Sequence, residues 1–130
     1  MVPLVILLLL LAPATPLTLF FFEGLIKCGW NVPFTYQIHV QEVDLLSSKD
    51  ISRMSFVTAP SSPSHYNITG LDGYDADNQF DITFLIYHNC HTSGKHFLWY
   101  EEIGNFLVYS GTHYHYRDID ITQKGVPYDW

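Results

Sequence analysis

The stretch that most constrains this chain is residues 81–90, Asp-Ile-Thr-Phe-Leu-Ile-Tyr-His-Asn-Cys. Side chains of an extended strand alternate between two faces. Ile82, Phe84, Ile86, His88 and Cys90 therefore share one face, and Thr83, Leu85, Tyr87 and Asn89 share the other. The β-branched and aromatic content suits a pleated, largely buried surface. The run ends in one of only two cysteines. The other, Cys28, closes an earlier run in which Phe20, Phe22, Ile26 and Cys28 share a face. Both cysteines thus stand at core-facing positions on strand ends.

The remaining pattern is also one of short strands. Residues 34–43 alternate cleanly, with Phe34, Tyr36, Ile38 and Val40 on the dry face and Thr35, Gln37, His39 and Gln41 on the wet one. Further strands are predicted over 17–28 (bent at Gly24), 52–58, 66–69, 96–101, 105–110 and 112–122, with loops over 44–51, 59–64 and 70–79. No stretch reads as a helix. Aromatics make up 16% of the chain and apolar residues 48%, enough to fill a core. About seven strands with regular turn signals predict a single all-β domain, an antiparallel β-sandwich.

Residues 1–14 read as a secretory signal peptide. The apolar run 4–11 is too short to span a bilayer, and Ala12-Pro13-Ala14 offers small residues for cleavage after Ala14. The alternative is a membrane anchor over 4–22, which Pro13 and Pro16 interrupt. The mature domain would be 15–130, secreted and without stable membrane insertion. An exported chain with two cysteines is expected to join Cys28 to Cys90 in a disulfide, with two buried free thiols as the alternative. In the same compartment Asn67-Ile68-Thr69 is an N-glycosylation sequon, so Asn67 is expected to be exposed and to carry a glycan.

The formal charge of -7, from six basic and thirteen acidic residues, lacks the clustered Lys and Arg of a nucleic-acid surface. Seven histidines raise a metal reading. His88 and His91 lie near each other, and His113 and His115 share one face of a strand, a donor set that suits zinc or copper. The competing reading is strand-end and surface histidines with a partly buried, hydrogen-bonded His88. Asp72, Asp75 and Asp77 faintly resemble a calcium loop, but the Asp-x-Asp-x-Asp-Gly order and the closing Glu are missing, so a solvated turn is expected. No Gly-x-Ser-x-Gly elbow or other nucleophile-base pairing is visible, and no cofactor is implied.

Three segments together resemble the nematode transthyretin-like proteins. They are Gly24-Leu25-Ile26-Lys27-Cys28-Gly29 followed by Pro33 and the strand to Glu42-Val43-Asp44; Phe84-Leu85-Ile86-Tyr87-His88-Asn89-Cys90, similar to the family's Tyr-His-Asp-Cys strand; and Asp118-Ile119-Asp120-Ile121. Order and spacing agree over roughly residues 20–122. The resemblance implies a transthyretin-like sandwich and a secreted, non-enzymatic binding or signalling role toward an extracellular protein or cell-surface ligand, and it admits an edge-to-edge homodimer. An enzyme related to the hydroxyisourate hydrolases, or one built on His88, His91, His113 and His115, is the alternative; Tyr116-Arg117-Asp118 is the nearest approach to those hydrolases' Tyr-Arg-Gly-Ser. Trp30, Tyr74, Trp99 and Tyr114 are candidate partner anchors, each with a place in the core as the alternative, which is the one expected for Trp99.

Overall fold

Inward Phe and Ile at every second position set the architecture. The computed structural model describes residues 17–30, 32–44, 47–73, 79–108 and 111–129. The strands are β1 (Thr18–Lys27), β2 (Phe34–Val43), β3 (Ser48–Arg53), β4 (Val57–Ala59), β5 (Ser64–Asp72), β6 (Gln79–His88), β7 (Phe97–Leu107), β8 (Gly111–Tyr116), β9 (Ile119–Asp120) and β10 (Val126–Pro127). No helix occurs among the described residues. One sheet runs β5-β1-β8, with β9 also on β1; the other runs β10-β7-β6-β2-β3, with β4 on β2. The two pack as a sandwich, their dry faces meeting in one core.

The expected alternation holds. Phe20, Phe22 and Ile26 of β1 and Ile82, Phe84 and Ile86 of β6 are buried between the sheets. Their rings interlock edge to face, Phe22 on Phe84 with centroids 5.2 Å apart and Phe20 on Phe80 at 5.5 Å. The two buried tyrosines keep their hydroxyls bonded, Tyr36 to Ser64 Oγ at 2.8 Å and Tyr66 donating to Arg117 O at 2.6 Å. Cys28, just past β1, and Cys90, just past β6, form the disulfide, with Cα atoms 5.9 Å apart. It links the end of one sheet to the end of the other.

Five details differ from the sequence reading, each for a local reason. In place of the loop over 44–51 and the strand over 52–58, residues 48–53 form an edge strand, β3, whose residues are all exposed or half-buried and so carry no apolar alternation, and residues 57–59 form the separate β4. The short strand expected at 66–69 is the nine-residue β5, whose inward positions Gly70 and Asp72 hide its length. Strands 96–101 and 105–110 are one strand, β7, carried past Gly104 by a bulge opposite Ile82 and Thr83. The last strand, expected as 112–122, breaks between β8 and β9 where Arg117 and Asp118 cross Gly24. There Arg117 N donates to Glu23 O at 2.8 Å and Leu25 N to Asp118 Oδ1 at 2.9 Å. Finally, β8 and β9 pair with β1 in parallel and in one register, because the chain enters this sheet from the other sheet rather than through a hairpin.

Candidate functional site

In β1 both faces are apolar. Leu19, Phe21 and Leu25 sit at the outward positions of a strand whose inward positions already fill the core. β5 and β8 flank it, so the outer face of this sheet is a grid three residues wide. Its rows are Leu71–Leu19–Thr112, Thr69–Phe21–Tyr114 and Asn67–Glu23–Tyr116. Leu71, Tyr116 and the preceding Leu17 are about half exposed, and Tyr114 is 78% exposed. Phe21 and Tyr114 stack with centroids 5.2 Å apart and planes 10° from parallel. A groove of about 310 Å³ crosses the face, lined by Phe21, Glu23, Asn67, Tyr114 and Tyr116. Its polar rim is held in place. Tyr116 hydrogen-bonds Asp118, which raises the phenol's pKa and lowers the carboxylate's, and His65 Nε2 lies 3.4 Å from Glu23 Oε2.

On β2 the outer face of the second sheet has the opposite character. Gln37, His39 and Gln41 of β2 stand there, and their side chains bond one another and their surroundings: His39 Nε2 to Gln37 Oε1 at 3.0 Å, Gln37 Nε2 to Met54 O at 3.0 Å and Gln41 Nε2 to Asp50 Oδ1 at 2.7 Å. Burial and nearby Arg53 lower the pKa of His39. That β2 portion is a self-bonded polar surface, while the rest of the face carries Tyr87, Tyr100 and Val126, with Tyr128 edge-on to Tyr87 at 5.1 Å. A contiguous exposed apolar patch is the surface feature that marks an interaction site.

The histidines of the metal reading do not assemble. Among the described residues no group of three or more His, Cys, Asp or Glu is placed to hold a metal ion. His88 is fully buried beside the disulfide; Cys90 N donates to its Nδ1 at 2.9 Å, so Nε2 carries the proton and donates to Lys124 O, also at 2.9 Å. Burial pushes its pKa down to about 4, against the opposing pull of the Lys124 carbonyl. His91 stacks on Phe97 at 4.1 Å and bonds Ser93. His113 and His115 lie beside Phe20 and Phe22 in β1, far along the strand from the disulfide. They turn inward: His113 packs on Phe20 and Phe106 and donates Nε2–H to Leu107 O, and His115 packs on Phe106 at 5.5 Å. The outward placement that a surface metal or pH-sensitive pair would need therefore falls to Tyr114 and Tyr116. Burial, then Arg117, lowers the pKa of His115.

The other sequence candidates divide cleanly. Asn67 is exposed and outward, with Thr69 on the same face. Trp99 packs against the core and donates Nε1–H to Glu101 at 2.7 Å, and Glu101 also pairs with Arg117 at 3.1 Å. Trp30 packs against the core too, which leaves Tyr114 as the exposed anchor candidate among the described residues. Asp72, expected in a solvated turn, is buried; its Oδ1 accepts from Lys49 Nζ and from Gly73 N, while Oδ2 is buried with no hydrogen-bond partner. Asp75, Asp77, Tyr74 and the expected signal peptide over 1–14 lie outside the described residues. The sequence reading missed Leu19 and Phe21, whose signal was the apolar residues at both parities of β1, and Leu71 and Tyr116, which come beside them only through the pairing of β5 and β8 with β1. No protein-family model and no curated protein sequence matches the chain.

Proposed function

We propose that this is a secreted, non-enzymatic extracellular binding or signalling protein of the transthyretin-like kind. In this reading it meets an extracellular protein or cell-surface ligand through the outer face of the β5-β1-β8 sheet. The observation that carries the proposal is that face itself, where Tyr114 and Tyr116 stand exposed at a groove and Leu17 and Leu71 are exposed further along the sheet. Exposed Tyr rings beside a concavity are side chains of the kind that anchor partners. The Cys28–Cys90 bond supports export, because disulfides persist in oxidising compartments.

The test is saturable binding of labelled, secreted protein to intact cells, with and without calcium. Leu71→Asp and Tyr114→Ser act on the proposed face; Tyr100→Ser, about half exposed on the other sheet, is the control. Loss of one anchor is expected to weaken binding about tenfold or more. Equal binding by all three variants would remove the face from consideration.

A further inference from the structure

The sequon and the groove are the same place. Asn67 is opposite Glu23 on β1, and Glu23 is opposite Tyr116 on β8, so one row of the grid runs from the acceptor amide to an aromatic ring. The next row holds Thr69, the sequon hydroxyl, then Phe21 and Tyr114. Adjacent strands are about 4.8 Å apart, so a ring one linkage beyond the Asn67 amide comes to lie above β1. Below it there are the Phe21–Tyr114 stack, the Tyr116 ring and the Glu23 carboxylate.

We propose that Asn67 carries an N-linked glycan whose first N-acetylhexosamine docks in this groove against Phe21, Tyr114 and Tyr116. A pyranose has an apolar face of C–H bonds that lies flat on an aromatic ring, and its rim of hydroxyl and N-acetyl groups bonds polar side chains. Glu23 is the acceptor at the rim. The attachment uses a lipid-diphosphate-linked oligosaccharide as donor. The Asn67 amide nitrogen forms a C–N bond to the anomeric carbon, the C–O bond to phosphate breaks, the lipid diphosphate leaves with the electron pair, and the amide loses one proton. The inference rests on the secretory reading above and sharpens it. The sugar covers the Asn67–Glu23–Tyr116 row and the near side of the Tyr114 ring, and leaves the far side of that ring with the Leu71–Leu19–Thr112 row for a partner.

The experiment uses the full chain made in mammalian secretory cells with carbon-13-labelled N-acetylglucosamine and taken from the medium. Intact mass gives occupancy, and NMR of the first sugar, with the glycan trimmed to that residue, gives its surroundings. The docked sugar shows ring-current-shifted protons in the native protein, and these return to free-glycan positions in Tyr114→Ser/Tyr116→Ser. Removing the acceptor with Asn67→Gln lowers the folded-to-unfolded ratio about three- to tenfold in the parent and leaves it unchanged in the double-serine background. Unshifted sugar signals with equal effects in both backgrounds would overturn the docking. Secreted protein with a bare Asn67 overturns the inference but leaves the exported binding role standing. Retention in the cell with reduced Cys28 and Cys90 overturns both.

Discussion

Removing the cross-link between the sheets should cost this protein about as much as truncating one of its largest core side chains. The Cys28–Cys90 bond closes a loop with a sequence separation of 62. In the chain-entropy treatment, closing a loop of that length restricts the unfolded ensemble by about 4 kcal/mol. At this chain length a loss of 1 kcal/mol lowers Tm by about 4–5 °C, so the expected drop is about 15–20 °C. Cys28→Ala/Cys90→Ala is the first arm; alanine avoids the buried hydroxyls that serine would bring to two positions that are 3% and 1% exposed. Lost packing adds to that arm by about 1 kcal/mol or less. The second arm is the parent protein reduced under argon, which opens the bond without deleting atoms. Thermal unfolding followed by near-ultraviolet circular dichroism reads both. The reasoning requires the two arms to fall together and far below the oxidised parent. A reduced protein melting within about 4 °C of the oxidised one, a loss under about 1 kcal/mol, would refute it. The bond would then be incidental to a core that holds without it.

Two further perturbations follow from single contacts. A Cβ on Gly24 would stand 1.9 Å from Arg117 O, so Gly24→Ala must displace the crossing and its hydrogen bond from Tyr66. We expect a loss of about 3 kcal/mol in urea unfolding, with Gly73→Ala, whose Cβ meets nothing within 4 Å, nearly silent; equal effects would count against the close approach. His88 has its pKa pushed down to about 4 from an ordinary 6.5, so between those values the unfolded chain binds more protons than the folded one. Its contribution is fully present above about pH 6.5 and falls away toward pH 4, by about 3 kcal/mol at most. His39 and His115 are shifted in the same direction. The His88→Gln variant should therefore show a shallower loss of stability from pH 7 to 4 in urea titrations, and a slope equal to the parent's would show that His88 does not control it.

The central strands were legible because each places a whole row of Phe and Ile on one parity, and both cysteines continue that parity past the strand ends. The periphery was not. β3 is an edge strand without a dry face, and its ladder to β2 leaves no mark in hydropathy. In β5 the inward positions include Gly70, which lies against Ile51 and Ser52, and Asp72, which is bound to Lys49; neither residue reads as core. A pattern of apolar side chains cannot announce an inward position that a glycine or an ion pair occupies.

The candidate face was hidden for a different reason. Apolar residues at both parities of β1 describe equally a strand buried on two sides and a strand with one side left open. Topology separates them, since the core supplies a partner layer for only one side of the β5-β1-β8 sheet. β8 poses the sharper ambiguity. His113 and His115 alternate with Tyr114 and Tyr116, and a slip of one residue against β1 would exchange the two pairs between core and surface. The register is pinned at both ends of the strand, by Gly111 N to Leu17 O at 3.2 Å and by Arg117 N to Glu23 O at 2.8 Å. The second of these bonds exists because Gly24 lets the chain cross close above β1. The exposure of the two tyrosines, and with it the groove beside Asn67, therefore depends on a glycine that touches neither ring.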